Sequence, residues 1–143
     1  MGKVEIFARP SEKYDLLCEF VQRLRDTGYT TEVVVNDIAD TSFMYDVIRA
    51  SDLLVNATNV GMDRGKGGQE MQQTLVENTA CLHKDLFVAD VIYFPRKTKL
   101  LADAEAAGCR NMNGLGMLFF QAALAFEIWH HRAMPEEILG KTV

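Results

Sequence analysis

Asp90, Tyr93 and Pro95 stand within eight residues of one another in the stretch 88–101, VADVIYFPRKTKLL, and they are unusual company for a core strand. The stretch starts as a buried strand and breaks at Pro95, whose nitrogen has no N–H to give to a ladder. Three other stretches end in the same style. Arg9 follows the strand-like KVEIFA, NATNVGM occupies 56–62, and NGLGM occupies 113–117. In open parallel α/β sheets, ligands bind beyond the carboxyl ends of the strands. Four strand ends rich in Gly, Asn, Thr, Asp and Tyr therefore outline one crevice. Taken by spacing alone, Tyr93 reads as a half-buried aromatic at a strand end. Gln121, in the middle of an apolar helix, needs a hydrogen-bond partner when buried, either a ligand or a backbone carbonyl.

Several chemistries are excluded. The three cysteines, Cys18, Cys81 and Cys109, are odd in number and far apart, and the chain has neither CxxC nor HExxH. No metal site is expected, and the cysteines read as buried thiols of a reducing, cytoplasmic compartment. Fifteen basic and twenty acidic residues leave a net charge of −5, the wrong sign for a nucleic-acid partner. The N-terminal MGKVEIFARP lacks the long apolar core of a signal peptide. The most apolar stretch, 114–129, contains Gln121 and Glu127 and falls short of the ~20 residues a membrane span needs. It reads as a buried core helix, and no membrane partner is expected.

The elements that must position these residues alternate. Strands are predicted at 3–8, 31–35, 52–57, 86–92 and 109–112. Helices are predicted at 11–27, 41–50, 98–107 and 115–131, with a further helix at 69–78, a loop at 63–68, and a last helical turn opened by Met134 and Pro135. Stretch 11–27 carries Leu16, Leu17, Phe20, Val21 and Leu24 at helical spacing, and DLLVNA (52–57) has the continuous apolar run of a strand buried on both faces. Strand–helix alternation predicts an α/β fold with a mostly parallel sheet and flanking helices, in a single domain over 1–143 with 113–143 as its C-terminal helical segment.

Three blocks make the sequence recognisable. NATNVGM (56–62), DVIYFPRKTKLL (90–101) and NGLGMLFFQAALAFEIW (113–129) follow, in order, the patterns NATxxGM, DxxYxPxxTxLL and GxGMLxxQxxxxFxxW. The chain thereby resembles the shikimate/quinate dehydrogenase family, over its C-terminal, nucleotide-binding half. The resemblance implies a truncated Rossmann-like fold and NADP, or NAD, as cofactor.

Residue by residue, the resemblance implies the following contacts. Family members grip the 2′-phosphate of NADP with an Asn-Arg-Thr/Ser turn and a basic residue four positions on. Here Arg9 and Lys13 keep that spacing and Ser11 offers a hydroxyl, whereas Ala8 and Pro10 replace the Asn and the Thr. Arginine suits planar phosphate recognition; the alternative for Arg9 and Lys13 is an ordinary solvated helix start. Asn56, Ala57, Thr58 and Asn59 correspond to the turn beneath the nicotinamide ribose, with Gly61 permitting close backbone approach. Val91 would give a backbone contact to the nicotinamide amide, and Gly114 and Met117 would line the nicotinamide face. Tyr93 would approach the substrate, and Gln121 corresponds to a glutamine that bonds a substrate hydroxyl. Phe126 and Trp129 are packing residues.

Two family features are not found in these residues. One is the GxGGxxxA turn that cradles the pyrophosphate; GKGGQ (65–69) follows no strand and is read as a surface loop. The other is the catalytic Lys and Asp, which belong to the family's N-terminal substrate domain. Lys97, Lys99, Asp85 and Asp90 fall outside that motif and receive no catalytic role, so no catalytic residue is assigned. The expected function is the NADP-binding portion of a shikimate or quinate 3-dehydrogenase, inactive alone. The alternatives are a non-catalytic nucleotide- or shikimate-binding module and an oligomeric remnant without ligand. Expected partners are shikimate or quinate, a second copy in a homodimer or higher oligomer, and a separate catalytic-domain chain. In the order 3-2-1-4-5-6 the first strand is central, so either the sheet closes up without it or another chain fills the gap.

Overall fold

Val33, Val34 and Val35 are the β-branched centre of strand β2 (Glu32–Asp37), which pairs in parallel with β1 (Lys3–Ala8) from Lys3 opposite Glu32 to Ala8 opposite Asp37. A parallel pair requires a crossover, and helix α1 (Glu12–Asp26) supplies it, ending before Gly28 at φ +79°. Helix α2 (Thr41–Arg49) follows β2. Its N-terminus is capped by the Asp40 carboxylate, which accepts from the Phe43 N–H at 3.0 Å. These elements form the first of two compact units, Met1–Ala50, around buried Val21, Val33, Met44 and Ile48. The computed structural model describes residues 2–63, 65, 68–135 and 138.

The second unit, Ser51–Val143, contains β3 (Leu53–Asn56), β4 (Phe87–Asp90) and β5 (Arg110–Met112), parallel and in that order across the sheet. Helix α3 (Lys99–Ala106) is the crossover from β4 to β5 and lies against both strands. The core gathers Leu86, Val88, Ile92, Leu100, Leu101 and Ala104. Helix α4 (Leu115–His130) closes the described fold, whose class is Rossmann-like α/β. Among the described residues, no helix is long and apolar enough to cross a membrane.

Among the described residues the strands form two hydrogen-bonded sheets, one in each unit. Four expectations are corrected. Stretch 52–57 is not buried on both faces: β3 is an edge strand, and Leu53 and Val55 are exposed. Stretch 69–78 holds only a short 3-10 turn at Gln69–Gln72, after which Gln73 is extended, and a second such turn lies at Thr79–Cys81. Side chains there compete with a helix for backbone groups, since Thr74 accepts from the Val76 N–H and Asn78 from the Ala80 N–H. Helix α4 has no buried residue, and Trp129 is 76% exposed. A helix apolar on every side needs cover on every side, which the described residues do not supply. Finally, Cys18 is exposed, whereas Cys81 and Cys109 are buried; Leu16 and Phe20 of α1 are exposed with it. Burial pushes the Cys109 thiol up, and the thiol donates to the His83 carbonyl at 3.1 Å. The expected loop at 63–68 and last turn near 135 fall partly outside the described residues.

Candidate functional site

Because β3 and β4 are parallel and in register, their last residues, Asn56 and Asp90, face each other at one sheet end. Both are buried, Asp90 to 2% exposure. The Asp90 carboxylate accepts three hydrogen bonds: from Asn56 Nδ2 at 3.1 Å, from the Ile92 N–H at 3.0 Å, and from Thr98 Oγ1 at 2.7 Å. A buried carboxylate is tolerated only with such partners. Thr98, itself 1% exposed, also caps α3 by accepting from the Leu101 N–H.

Asn56 extends the connection into the next turn. Its Oδ1 accepts from the N–H and the hydroxyl of Thr58, at 3.1 and 2.7 Å, while its Nδ2 also reaches the Val60 carbonyl. The backbone N–H donor at Thr58 fixes which side of the amide is oxygen. Thr58 Oγ1 then accepts from the Val60 N–H. Gly61, at φ +96°, completes the turn, and a Cβ there would lie 3.3 Å from the Gln73 carbonyl oxygen and 3.5 Å from Thr98 Cβ. The turn therefore sits directly on Thr98.

The stretch 91–98 is held from both sides. The Val91 N–H donates to the Asn56 carbonyl at 3.1 Å and the Asp63 N–H to the Phe94 carbonyl at 3.4 Å. On the other side, the Gly114 N–H donates to the Ile92 carbonyl at 3.0 Å and Asn113 Nδ2 to the Arg96 carbonyl at 2.9 Å. Phe94–Pro95 is a cis peptide. Gly114 lies against Val91 with no room for a side chain.

A buried polar floor of Asn56, Asp90, Thr98, Gly61 and Gly114 thus underlies exposed Ala57, Thr58, Asn59, Tyr93 and Met117, with Val91 half-buried among them. The strand-end segments expected at 56–59, 91–93 and 114 come together. Met117 and Gln121 lie on α4, which starts from this turn. Gln121 is exposed and donates to the Leu118 carbonyl at 3.0 Å, a backbone partner on its own helix. A hollow lined by Arg96, Lys97, Asn111, Asn113 and Gly116 opens nearby, and neither Tyr93 nor Gln121 contributes to it.

Arg9, Ser11 and Lys13 lie in the first unit, at the end of β1 and the start of α1. All three are exposed. Ser11 is the N-cap residue, but its hydroxyl donates to the Arg9 carbonyl at 3.3 Å and does not cap the helix. The ion pairs of the described residues involve neither Arg9 nor Lys13. Both charges are available to an anion, although Glu12 and Asp15 share that first turn.

What the motif reading missed was the role of Asp90 and Thr98. Both stand in the motif block 90–101, but their pairing depends on the fold that brings Asn56 beside them.

A family model, the shikimate 5'-dehydrogenase C-terminal domain, matches residues 114–139. Shikimate dehydrogenase (NADP(+)) of Alkaliphilus metalliredigens is 34% identical over 141 residues, 99% of this chain and 46% of that protein. Quinate/shikimate dehydrogenase of Escherichia coli O139:H28 is 33% identical over 100% of this chain and 48% of its own length. Among solved structures, shikimate 5-dehydrogenase from Listeria monocytogenes, in complex with shikimate and NAD, superposes with a TM-score of 0.83 at 35% identity, over 98% of this chain and 46% of that one. The chain spans about half the length of the curated relatives it matches.

Proposed function

We propose, on the premise that this chain corresponds to the C-terminal portion of the shikimate/quinate dehydrogenase family, that it is the NADP-binding part of a shikimate or quinate 3-dehydrogenase. The observation that carries this reading is the joining of two motif blocks, NATNVGM and DVIYFPRKTKLL, through the Asn56–Asp90–Thr98 hydrogen bonds, with the third block seated on them by Gly114. Motif residues that were apart in sequence make one surface.

Each unit, taken by itself, offers groups of the kind a dinucleotide uses. Arg9 and Lys13 hold unpaired positive charge for a 2′-phosphate, which favours NADP over NAD. Thr58 and Asn59 offer exposed polar groups under the ribose. The Val91 N–H is already committed to Asn56, so its carbonyl is the group left for the nicotinamide amide. Gly114 and Met117 border that place, Tyr93 reaches toward the substrate, and Gln121 exchanges its backbone partner for a substrate hydroxyl. When bound, the nicotinamide supplies the hydride acceptor for oxidation of the substrate's secondary alcohol to a ketone. Within these 143 residues no side chain is assigned to take the hydroxyl proton, so they bind without turning over. The reaction needs the Lys and Asp that the family carries on its substrate domain.

The exposed apolar surface of α4 supports a covering chain, either a second copy or the polypeptide that bears that domain. Calorimetric titration with NADP and with NAD tests the reading. Saturable heat with NADP, together with no oxidation of shikimate or quinate, is expected. The absence of heat with either nucleotide would leave an oligomeric remnant as the reading, and turnover by these residues alone would refute the division of labour.

A further inference from the structure

We propose that Asp90 is a positioning residue, the one described side chain that bonds the nucleotide-facing turn 56–61, the backbone after β4 and the start of α3 together. The inference rests on the dinucleotide reading above and names how its site is held in shape.

Three segments converge on this carboxylate. Turn 56–61 is reached through Asn56 Nδ2, the backbone after β4 through the Ile92 N–H, and the start of α3 through Thr98 Oγ1. Each partner passes the constraint onward. Asn56 orders Thr58 and Val60, and Thr98 both caps α3 and supports Gly61. Ile92 receives the Gly114 N–H on its carbonyl, which brings in the turn that opens α4. Neighbouring bonds of the exposed layer, such as Asp63 N–H to the Phe94 carbonyl, span only two of these segments. Only Asp90 among the described side chains bonds to all three. Its burial matters as well, because water cannot replace a lost partner there.

A structural reading limited to helix capping makes a different prediction from a positioning reading. Asp90→Ala removes everything at once and risks unfolding, so the decisive variants are at Thr98. Thr98→Val keeps the shape and deletes the hydroxyl; Thr98→Ser restores it. Amide hydrogen exchange of the full 143-residue chain is measured for the wild type and both Thr98 variants, with NADP titrated into each. In Thr98→Val, exchange is expected to accelerate at Ile92 and also at Thr58 and Val60, on the far side of the carboxylate. The NADP dissociation constant should rise about tenfold, a typical effect of losing a charge-assisted hydrogen bond. Thr98→Ser should return both readouts to wild-type values. Acceleration confined to Leu101 and its neighbours in α3 would overturn the inference, as would unchanged NADP affinity in a Thr98→Val chain whose turn exchanges faster. If the unmodified chain binds no NADP, the dinucleotide reading fails. The exchange at Thr58 and Val60 then decides the tie by itself.

Discussion

Gly114 stands so close to Val91 that a Cβ built on it would lie 1.9 Å from the Val91 carbonyl oxygen and 2.4 Å from its carbonyl carbon. The obstruction is backbone, which cannot swing aside as the end of a long side chain can. Its φ is ordinary for any residue, so the requirement for glycine here comes from proximity and not from conformation.

Gly114→Ala is therefore expected to destabilise the second unit by roughly 3 kcal/mol or more, beyond the usual cost of overpacking. Urea unfolding followed by circular dichroism measures it. A loss below about 1 kcal/mol would mean that the Val91 strand end moves freely, against the hydrogen bonds that hold it.

Arg9→Ala separates two kinds of nucleotide contact. If Arg9 faces the 2′-phosphate, NADP affinity should fall about tenfold, in line with loss of a charge-assisted hydrogen bond, while NAD affinity changes little. Calorimetric titration with both nucleotides reads this directly. An equal loss for both would remove Arg9 from the phosphate.

Acid should act on the first unit through Glu5. Burial alone raises its carboxyl, but hydrogen bonds from Lys3 at 2.6 Å and Asn36 at 2.7 Å, with the Lys3 charge, outweigh it, and the net shift is downward. A lowered folded-state value means the folded form binds its proton less readily. The stabilisation is therefore present above the ordinary carboxylate range and is lost as pH falls through the folded value. With a surface-type ion pair, the effect is about 0.5 kcal/mol. Exchange rates of β1 amides, compared in wild type and Glu5→Gln between about pH 5 and about pH 3, should show a steeper acid dependence in wild type. Parallel profiles would contradict the assignment.

Trp129, the only tryptophan, reports on whether α4 is covered. It is 76% exposed, and Phe120, Leu124 and Ile128 are exposed on the same helix. If copies of the chain associate through this helix, its fluorescence should shift to the blue as concentration rises. Ile128→Glu should abolish the shift and lower the sedimentation coefficient at high concentration. A red emission at every concentration would assign the helix to a different polypeptide.

The sequence was most informative where periodicity and punctuation agree. KVEIFA became β1 at the expected residues, and helix α1 stopped before Gly28 because that glycine takes a positive φ. The stretch 69–78 misled because Met71, Leu75 and Val76 have helical spacing, while Thr74 and Asn78 take local backbone bonds instead. The α4 reading failed for another reason. Hydrophobicity states that a surface must be covered, not that the covering residues are within the same 143. In the site, the motif blocks located Asn56, Val91 and Gly114 together, but Asp90 carries no exposed chemistry and gave no hint of its three partners. Its role depends on the register of β3 against β4, which no local pattern encodes.

The tie at Asp90 also bears on how such a chain can change over time. Asn56, Asp90 and Thr98 share one carboxylate, so substitutions at these positions are not independent and their costs do not add. A drift at any one of them removes a hydrogen bond from a buried group that water cannot reach. Substitution at exposed Asn59 or Tyr93 touches none of these bonds. The exposed layer is thus freer to diversify, while the layer beneath it can be inherited only as a set.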